Sequence, residues 1–434
     1  MEKVEEFNKK TRVLETIVTD ETLSEGPLKG KTYVLSDNIS TSSILTTWSS
    51  QFLKNYKPVY DATIYTKLKN SGAKLIGKAI IGELSLDNLS TIENPYDKTK
   101  TVGGSMSGCA TLVANKLVSF GIGSDVDGSI RRPAAYTGIV GFKPSYSVIS
   151  RYGVYTISSS MEQVGYQTNS VLDCAILTNL LKGSDGYDMT VIDNKIDYTS
   201  NLKENVKGKK LFYFNLYNED DYQDETTRKI IANFNLVLKM AQDLGFEVES
   251  VNFDLELLKL IKIISKIIIY AEAASNTSNL TGISFGEREN KEDVLEIIRA
   301  SRSKYLSSSV KRKIIMGEYF LQKDNQDKLF LNAGRIRRIL VTEINKLFEK
   351  YDGLIFPTIG TIAPNKGEEE SDLILNDLIY LANLGGYPSI TIPSGLVNGL
   401  PVGISLMSLQ LKDSLVLKIA YQLEGKLKGE LNNV

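Results

Sequence analysis

Two serines set in glycine-rich text are the residues of this chain best suited to chemistry. Ser129 stands in "GSDVDGSIRRPAAYTG" (123–138) and Ser105 in "VGGSMSGCA" (102–110). Glycines in such stretches let the backbone adopt unusual dihedrals and approach a ligand closely. A serine hydroxyl becomes a useful nucleophile only when a neighbour removes its proton, and the commonest neighbour is a histidine held by a carboxylate. The chain has no histidine. Composition therefore excludes that triad and leaves Lys, Asp, Glu, Tyr or a second serine as the base. A lysine can serve only where burial or an adjacent cation lowers its pKa, because the ammonium form has no lone pair. The upstream loop is not a phosphate loop, since no Gly-Lys-Ser/Thr follows at the required spacing.

The rest of the composition narrows the classes. Over 434 residues, 51 Lys+Arg nearly balance 52 Asp+Glu, without the clustered basic excess of a nucleic-acid-binding surface. Cys109 and Cys174 are the two cysteines; they read as small buried apolar residues. Without imidazole, and with so little thiolate, most zinc and iron sites are excluded, and no metal site is expected. The N-terminal text shows neither a signal nor a transit pattern. In "LELLKLIKIISKIIIYAEAA" (255–274) three lysines interrupt the apolar run, which reads as a buried amphipathic helix with no membrane span.

The elements that must position the serines alternate. A strand is expected in "KTYVLSDNIS" (31–40), a helix around 58–71 and a strand in "AKLIGKAIIG" (73–82). A helix from 107 to about Val118 follows, and then a short strand that ends at the Ser129 motif. Apolar residues at helical spacing between 221 and 245, closed by Gly245, predict a helix flanked by the strands "KKLFYFN" and "FEVESV". The stretch 254–350 is mostly helical, and short strands return in "YDGLIFPTIG", "YPSITIP" and "PVGISLM". The alternation argues for an α/β fold with helices over a sheet. At this length the prior is one large domain with an insertion, or two domains.

Two Gly/Ser loops separated by one helix and one strand form a more specific pattern than either alone. "GGSMSGCA" and "GSDVDGSIRRPAAYTGIVGFKP" (123–144) resemble the two signature blocks of the amidase signature family, written GGSSGGSA and GSDTGGSIRxPAxxxGxxGxKP. The likeness extends over nearly the whole chain, including "FPTIGTIAP" (356–364) and "GLPVGISLM" (399–407). It implies a single amidase domain over 1–434, with a signature core at about 73–165, a substrate-side helical region at about 254–350, and a central mixed sheet covered by helices on both faces. It also implies a Ser-Ser-Lys relay in which Ser129 is the acyl-forming nucleophile. Ser105 is then the proton-bridging serine, beside a cis peptide bond. The N–H groups of Val126, Asp127 and Gly128 form the oxyanion hole.

Within the family, "VKRKIIMGEY" (310–319) and "NDLIYLANLGGYPSITIP" (376–393) are similar to motifs of the glutamine-hydrolysing subunits of tRNA-dependent amidotransferases. That likeness assigns Arg312 to the carboxylate of glutamine and Asp377 to its α-amino group. It implies no cofactor in this chain. A partner B subunit, with a possible third small subunit, would use ATP and magnesium and bind Glu-tRNA(Gln). Compact length and loosened motifs point to the mitochondrial matrix, with a bacterial cytoplasm as the alternative.

The chain departs from the pattern at the relay's end. The block VKDNI reads "VLSDNI" (34–39), so Ser36 occupies the lysine position. Lys78 and Lys31 are the candidate substitutes. Met106 replaces the second serine of the Ser-Ser pair, Asp127 replaces a glycine, and Phe285 stands where those subunits carry a substrate-contacting tyrosine. An Asp127 carboxylate turned into the site would oppose a developing oxyanion. Two alternatives stay open: a stand-alone amidase acting on small amides, and a structural subunit that has lost catalysis.

Overall fold

The structure is a computed structural model describing residues 1–19, 25–87, 92–368 and 370–431. Eleven strands are described: β1 Leu14–Ile17, β2 Thr32–Ser36, β3 Lys74–Ala79, β4 Phe120–Asp125, β5 Val140–Lys143, β6 Gln163–Thr168, β7 Lys210–Phe214, β8 Glu247–Val251, β9 Gly353–Pro357, β10 Ser389–Val397 and β11 Leu400–Met407. They form one mixed sheet in the order β1-β3-β2-β4-β6-β5-β10-β11-β9-β7-β8. Every residue of β4, β6 and β11 is buried, which requires cover on both faces of the sheet. The α/β architecture expected from the sequence is the one observed.

The parallel trio β3-β2-β4 sets the site. Leu35 pairs with both Lys78 and Ile122, and Ser36 pairs with Ala79, so Ser36 and the Ser129 loop leave adjacent strands at the same carboxyl edge. In open α/β sheets this edge is where ligands bind. The helix after Ser105 runs Ser107–Ala114 rather than to Val118. It lies against β4 because β4 carries glycines: a Cβ on Gly121 would come within 2.7 Å of Cys109 Cβ. Cys109 and Cys174 are free and buried.

The amphipathic reading of 255–274 corresponds to the helix Leu255–Asn276, which buries Leu258, Ile261, Ile264 and Ile268. Among the described residues no helix is long and apolar enough to cross a membrane. The helix expected between 221 and 245 spans Glu225–Asp243, begins with Asp224 accepting from Thr227 N–H, and ends before Gly245 at φ +91°.

Candidate active site

The loop between β4 and the helix Arg131–Thr137 is held by one buried ion pair. Asp125 and Arg131 are both fully buried, and the carboxylate receives Arg131 Nε at 3.1 Å and Nη2 at 3.0 Å. The same carboxylate accepts the N–H groups of Gly128 (2.8 Å) and Ile130 (3.1 Å). Arg131 also donates to the Ile379 carbonyl at 2.8 Å and to Asn383 Oδ1 at 2.6 Å. Burial alone would raise the Asp125 carboxyl, but the guanidinium and the loop amides hold it well below the usual carboxylate range. This clamp presents Ser129, 1 % exposed, at the end of β4. Gly128 needs to be glycine: its φ is +101°, and a Cβ there would meet Ile379 Cδ1 at 2.6 Å.

Ser129 and Ser105 lie at one locus, since the Ser129 carbonyl accepts the Met106 N–H at 3.3 Å. The Gly104–Ser105 peptide is cis. The hydroxyls do not form a relay in this state. Ser129 Oγ donates to Asp127 Oδ1 at 2.9 Å. A hydroxyl has one proton, so this one is directed at Asp127 and not at Ser105. Asp127 is not among the residues of positive φ, so its Cβ is accommodated without strain. Of the three expected oxyanion donors, the Gly128 N–H is engaged by Asp125, while Val126 and Asp127 flank it on the same turn.

The lysine position is closed. Ser36 donates to Asn38 Oδ1. Asn38 Nδ2 donates to Ser124 Oγ and to the Tyr155 carbonyl, each at 3.0 Å, and Ser124 donates to the buried Glu162. Burial raises the Glu162 carboxyl above its ordinary value. The thioether of Met106 fills the adjoining space: a Cβ on Gly123 would lie 2.4 Å from Met106 Sδ and 2.7 Å from Ser36 Oγ.

Neither substitute lysine reaches this pocket. Lys78 is the register partner of Leu35, and successive side chains on a strand point to opposite faces, so Lys78 is turned away from the side on which Ser36 lies. Its Nζ donates to the Ile39 carbonyl and to the Thr41 and Thr46 hydroxyls, and burial lowers its amine to about 8 despite the nearby Asp37. Lys31 is exposed, and five strand residues before Ser36 amount to roughly 16 Å, well beyond a lysine's length. Lys143, buried beside the Asp125–Arg131 pair, has its amine lowered to about 7, chiefly by burial; its Nζ donates to the Pro144 and Tyr387 carbonyls.

Of the two substrate-binding expectations, Asp377 lies two residues before Ile379, the residue that packs on the Ser129 loop. Ile379 touches both Gly128 and Arg131. Asp377 is buried, 3.9 Å from Lys262 Nζ, and burial raises its carboxyl to about 6. Arg312 is exposed on the helix Ser308–Leu321, and at 100° per residue it faces away from the buried Val310, Ile314 and Gly317. The neighbouring Lys313 turns inward and donates to the Leu86 carbonyl. Phe285 joins an aromatic group, 5.8 Å from Tyr56, which packs on Tyr155. Sequence reasoning missed Arg132, which is 4 % exposed, donates to the Asp127 carbonyl at 3.3 Å and lies 2.8 Å from Glu370 Oε1. Its only sequence signal is its place three residues after Ser129.

Comparison with known proteins identifies the family. The Amidase family model matches residues 6–417. The chain is 35% identical over 453 residues to the A subunit of glutamyl-tRNA(Gln) amidotransferase from Caldanaerobacter subterraneus, covering 98% of this chain and 91% of that protein. It is 35% identical over 419 residues to the protein of the same name from Legionella pneumophila, covering 94% and 86%. The crystal structure of its Thermotoga maritima namesake superposes with a TM-score of 0.81 at 30% identity, covering 96% of this chain and 88% of that one. The peptide amidase of Stenotrophomonas maltophilia shares the fold, with a TM-score of 0.79 at 22% identity over 98% of this chain and 92% of its own. The Ser129 loop sits at the carboxyl edge of β4, and the family match over residues 6–417 makes this chain a member of the amidase family.

Proposed function

We propose that the protein is the glutamine-hydrolysing component of a tRNA-dependent amidotransferase that converts Glu-tRNA(Gln) to Gln-tRNA(Gln). Ser129 attacks the side-chain amide of glutamine, a glutamyl ester forms, and ammonia is released to a partner B subunit. That partner, with or without a third small subunit, binds the tRNA and uses ATP and magnesium. The observation that carries this reading is that Asp377 is buried two residues before Ile379, which packs on the Ser129 loop. A buried carboxylate there suits the α-amino group of an amino-acid substrate, which a simple amide lacks. The amidotransferase relatives named above support the same reading. They are bacterial, which favours a bacterial cytoplasm over the mitochondrial matrix.

A second reading has its own observation. Ser36 and Met106 close the lysine pocket, as expected of a subunit that keeps the fold and loses the chemistry. One experiment separates the two: the chain is purified with its candidate partner, and ammonia release from glutamine and amide transfer to Glu-tRNA(Gln) are measured for wild type and Ser129→Ala. Activity abolished by Ser129→Ala supports the glutaminase. No ammonia from the complete complex supports the structural role. Turnover of simple amides by the isolated chain, at a rate matching glutamine, would sink the amidotransferase assignment.

A further inference from the structure

We propose that the Asp127 carboxylate is the proton acceptor for Ser129, in place of a lysine reached through Ser105. The proposal rests on the hydrolytic reading above. It starts from the one hydrogen bond that the nucleophile's own proton makes, Ser129 Oγ to Asp127 Oδ1 at 2.9 Å. A base atom within about 2.6–3.2 Å of the hydroxyl oxygen whose proton it removes meets the geometric requirement for general-base catalysis. The residues at the other end of the expected relay point the same way. The pocket beside Ser36 is filled by the Met106 thioether, and Lys78 and Lys143 spend their amines on carbonyls and hydroxyls elsewhere.

Position 127 is unusual for a base because it lies in the loop to which the family resemblance assigns the oxyanion hole, although the Gly128 N–H of that loop is taken by Asp125. A fixed negative charge there would oppose a developing oxyanion. A carboxylate that takes the serine proton becomes neutral in the same step, so negative charge leaves Asp127 as it appears on the substrate oxygen. The summed charge of turn and substrate does not change. The steps balance. Ser129 Oγ bonds to the carbonyl carbon and its proton moves to Asp127. The carbon–nitrogen bond then breaks and Asp127 returns the proton to nitrogen, which leaves as ammonia. Water attacks the ester, gives a proton to Asp127, and the departing Ser129 oxygen takes it back. No other reactant is needed.

The groups that face Asp127 are Arg132 from the following helix and Tyr380 from the turn 378–380, with Glu370 on the far side of Arg132. Arg132 is a permanent cation. Its charge lies beside the group that takes the serine proton. Carboxylates as a class ionise far below the pH at which amines lose their proton, so a carboxylate base and a lysine base predict different pH profiles.

The test uses the full chain and a serine-directed sulfonyl fluoride, with modification of Ser129 mapped by peptide mass spectrometry and its rate measured from pH 5 to 9. The expected result is wild-type modification that persists at pH 5.5. For Asp127→Asn the rate should fall by about 10²-fold, the lower end of what losing a general base costs. Asp127→Glu should recover part of the rate. Thermal unfolding of each variant is recorded alongside, because a merely structural role would lower the melting temperature without changing the shape of the pH profile. Modification of Asp127→Asn within threefold of wild type overturns the proposal, as does a wild-type rate that vanishes below pH 7 or a serine that does not react at any pH. The reagent does not depend on glutamine. If Asp127-dependent labelling is found in a complex that makes no ammonia from glutamine, the amidotransferase reading fails and the base assignment stands.

Discussion

Restoring the family's lysine at position 36 should fail on its own and succeed only with a second change, and the reason is volume. Ser36 Oγ and Met106 Sδ lie within 2.7 Å of the point where a Cβ on Gly123 would sit, so hydroxyl and thioether share one pocket. Both residues are about 1 % exposed. Ser36→Lys puts four side-chain heavy atoms beyond Cβ where one now sits, against an undeformed neighbour. Overpacking of that kind costs about 1–3 kcal/mol, and an ammonium buried without a partner adds to it. The hydrogen bond from Ser36 to Asn38 is lost as well. Met106→Ser opens a cavity at a cost of about 2–5 kcal/mol, by the measure of other large-to-small changes in cores. In the double variant the lysine stem occupies the space that the thioether vacates. The two effects should therefore fall short of their sum by about 0.5–3 kcal/mol, the range found for residues in contact. Urea unfolding of the wild type, both single variants and the double gives the coupling directly from the midpoints, provided the slopes agree. A coupling below about 0.5 kcal/mol would refute the shared-pocket argument, since that is what independent sites show.

Two further predictions concern charge. Asp125→Asn leaves Arg131 as a buried cation without its anion and should lower stability by about 3–5 kcal/mol, read as a drop in the urea midpoint. Because the Asp125 carboxyl is depressed in the folded protein, the stability it confers is present above the ordinary carboxylate range and is lost as pH falls through about 4 and below; Asp125→Asn should remove that acid-limb slope, and an unchanged slope would refute the assignment. Asp377 has the opposite sign. Its folded pKa of about 6 lies above the ordinary value near 3.9, so this group weakens the fold at neutral pH and the penalty is relieved as pH falls from about 6 to 4. Asp377→Asn should stabilise the protein at pH 7 by up to about 3 kcal/mol and flatten that stretch of the stability profile. A destabilised variant at pH 7 would refute the sign.

The legible part of the molecule was the part in which sequence and space coincide. The Ser129 loop, the strand before it and the helix after it are contiguous, so their motif carried their geometry. Helices such as Glu225–Asp243 were readable from apolar spacing and the terminating Gly245. Short strands were not: β1, β5 and β6 are four to six residues long and lack their own punctuation. Direction was the harder loss at the site. The sequence placed Asp127 next to the nucleophile but could not show that its carboxylate accepts the nucleophile's proton. Nor could it show that Lys78 faces the wrong side of β3, because register fixes that and register is set by a partner strand. Arg312 matched a motif, yet one residue of helical rotation decides whether such a side chain faces in or out, and here Lys313 is the one that turns inward.

The sheet order carries a consequence for how the molecule comes into being. β5 hydrogen-bonds to β10, and the Lys143 amine reaches the Tyr387 carbonyl across 244 residues of chain. The Asp125–Arg131 clamp likewise completes itself on Ile379 and Asn383. At 5–20 residues per second, a ribosome takes roughly 12–50 s to supply those partners after the Ser129 loop has been made. Until then β5 is an open edge that invites pairing with the wrong strand. The Ser129 loop is therefore made well before the partners that shape it, and a chain cut short before residue 379 would carry Ser129 without the scaffold that holds it.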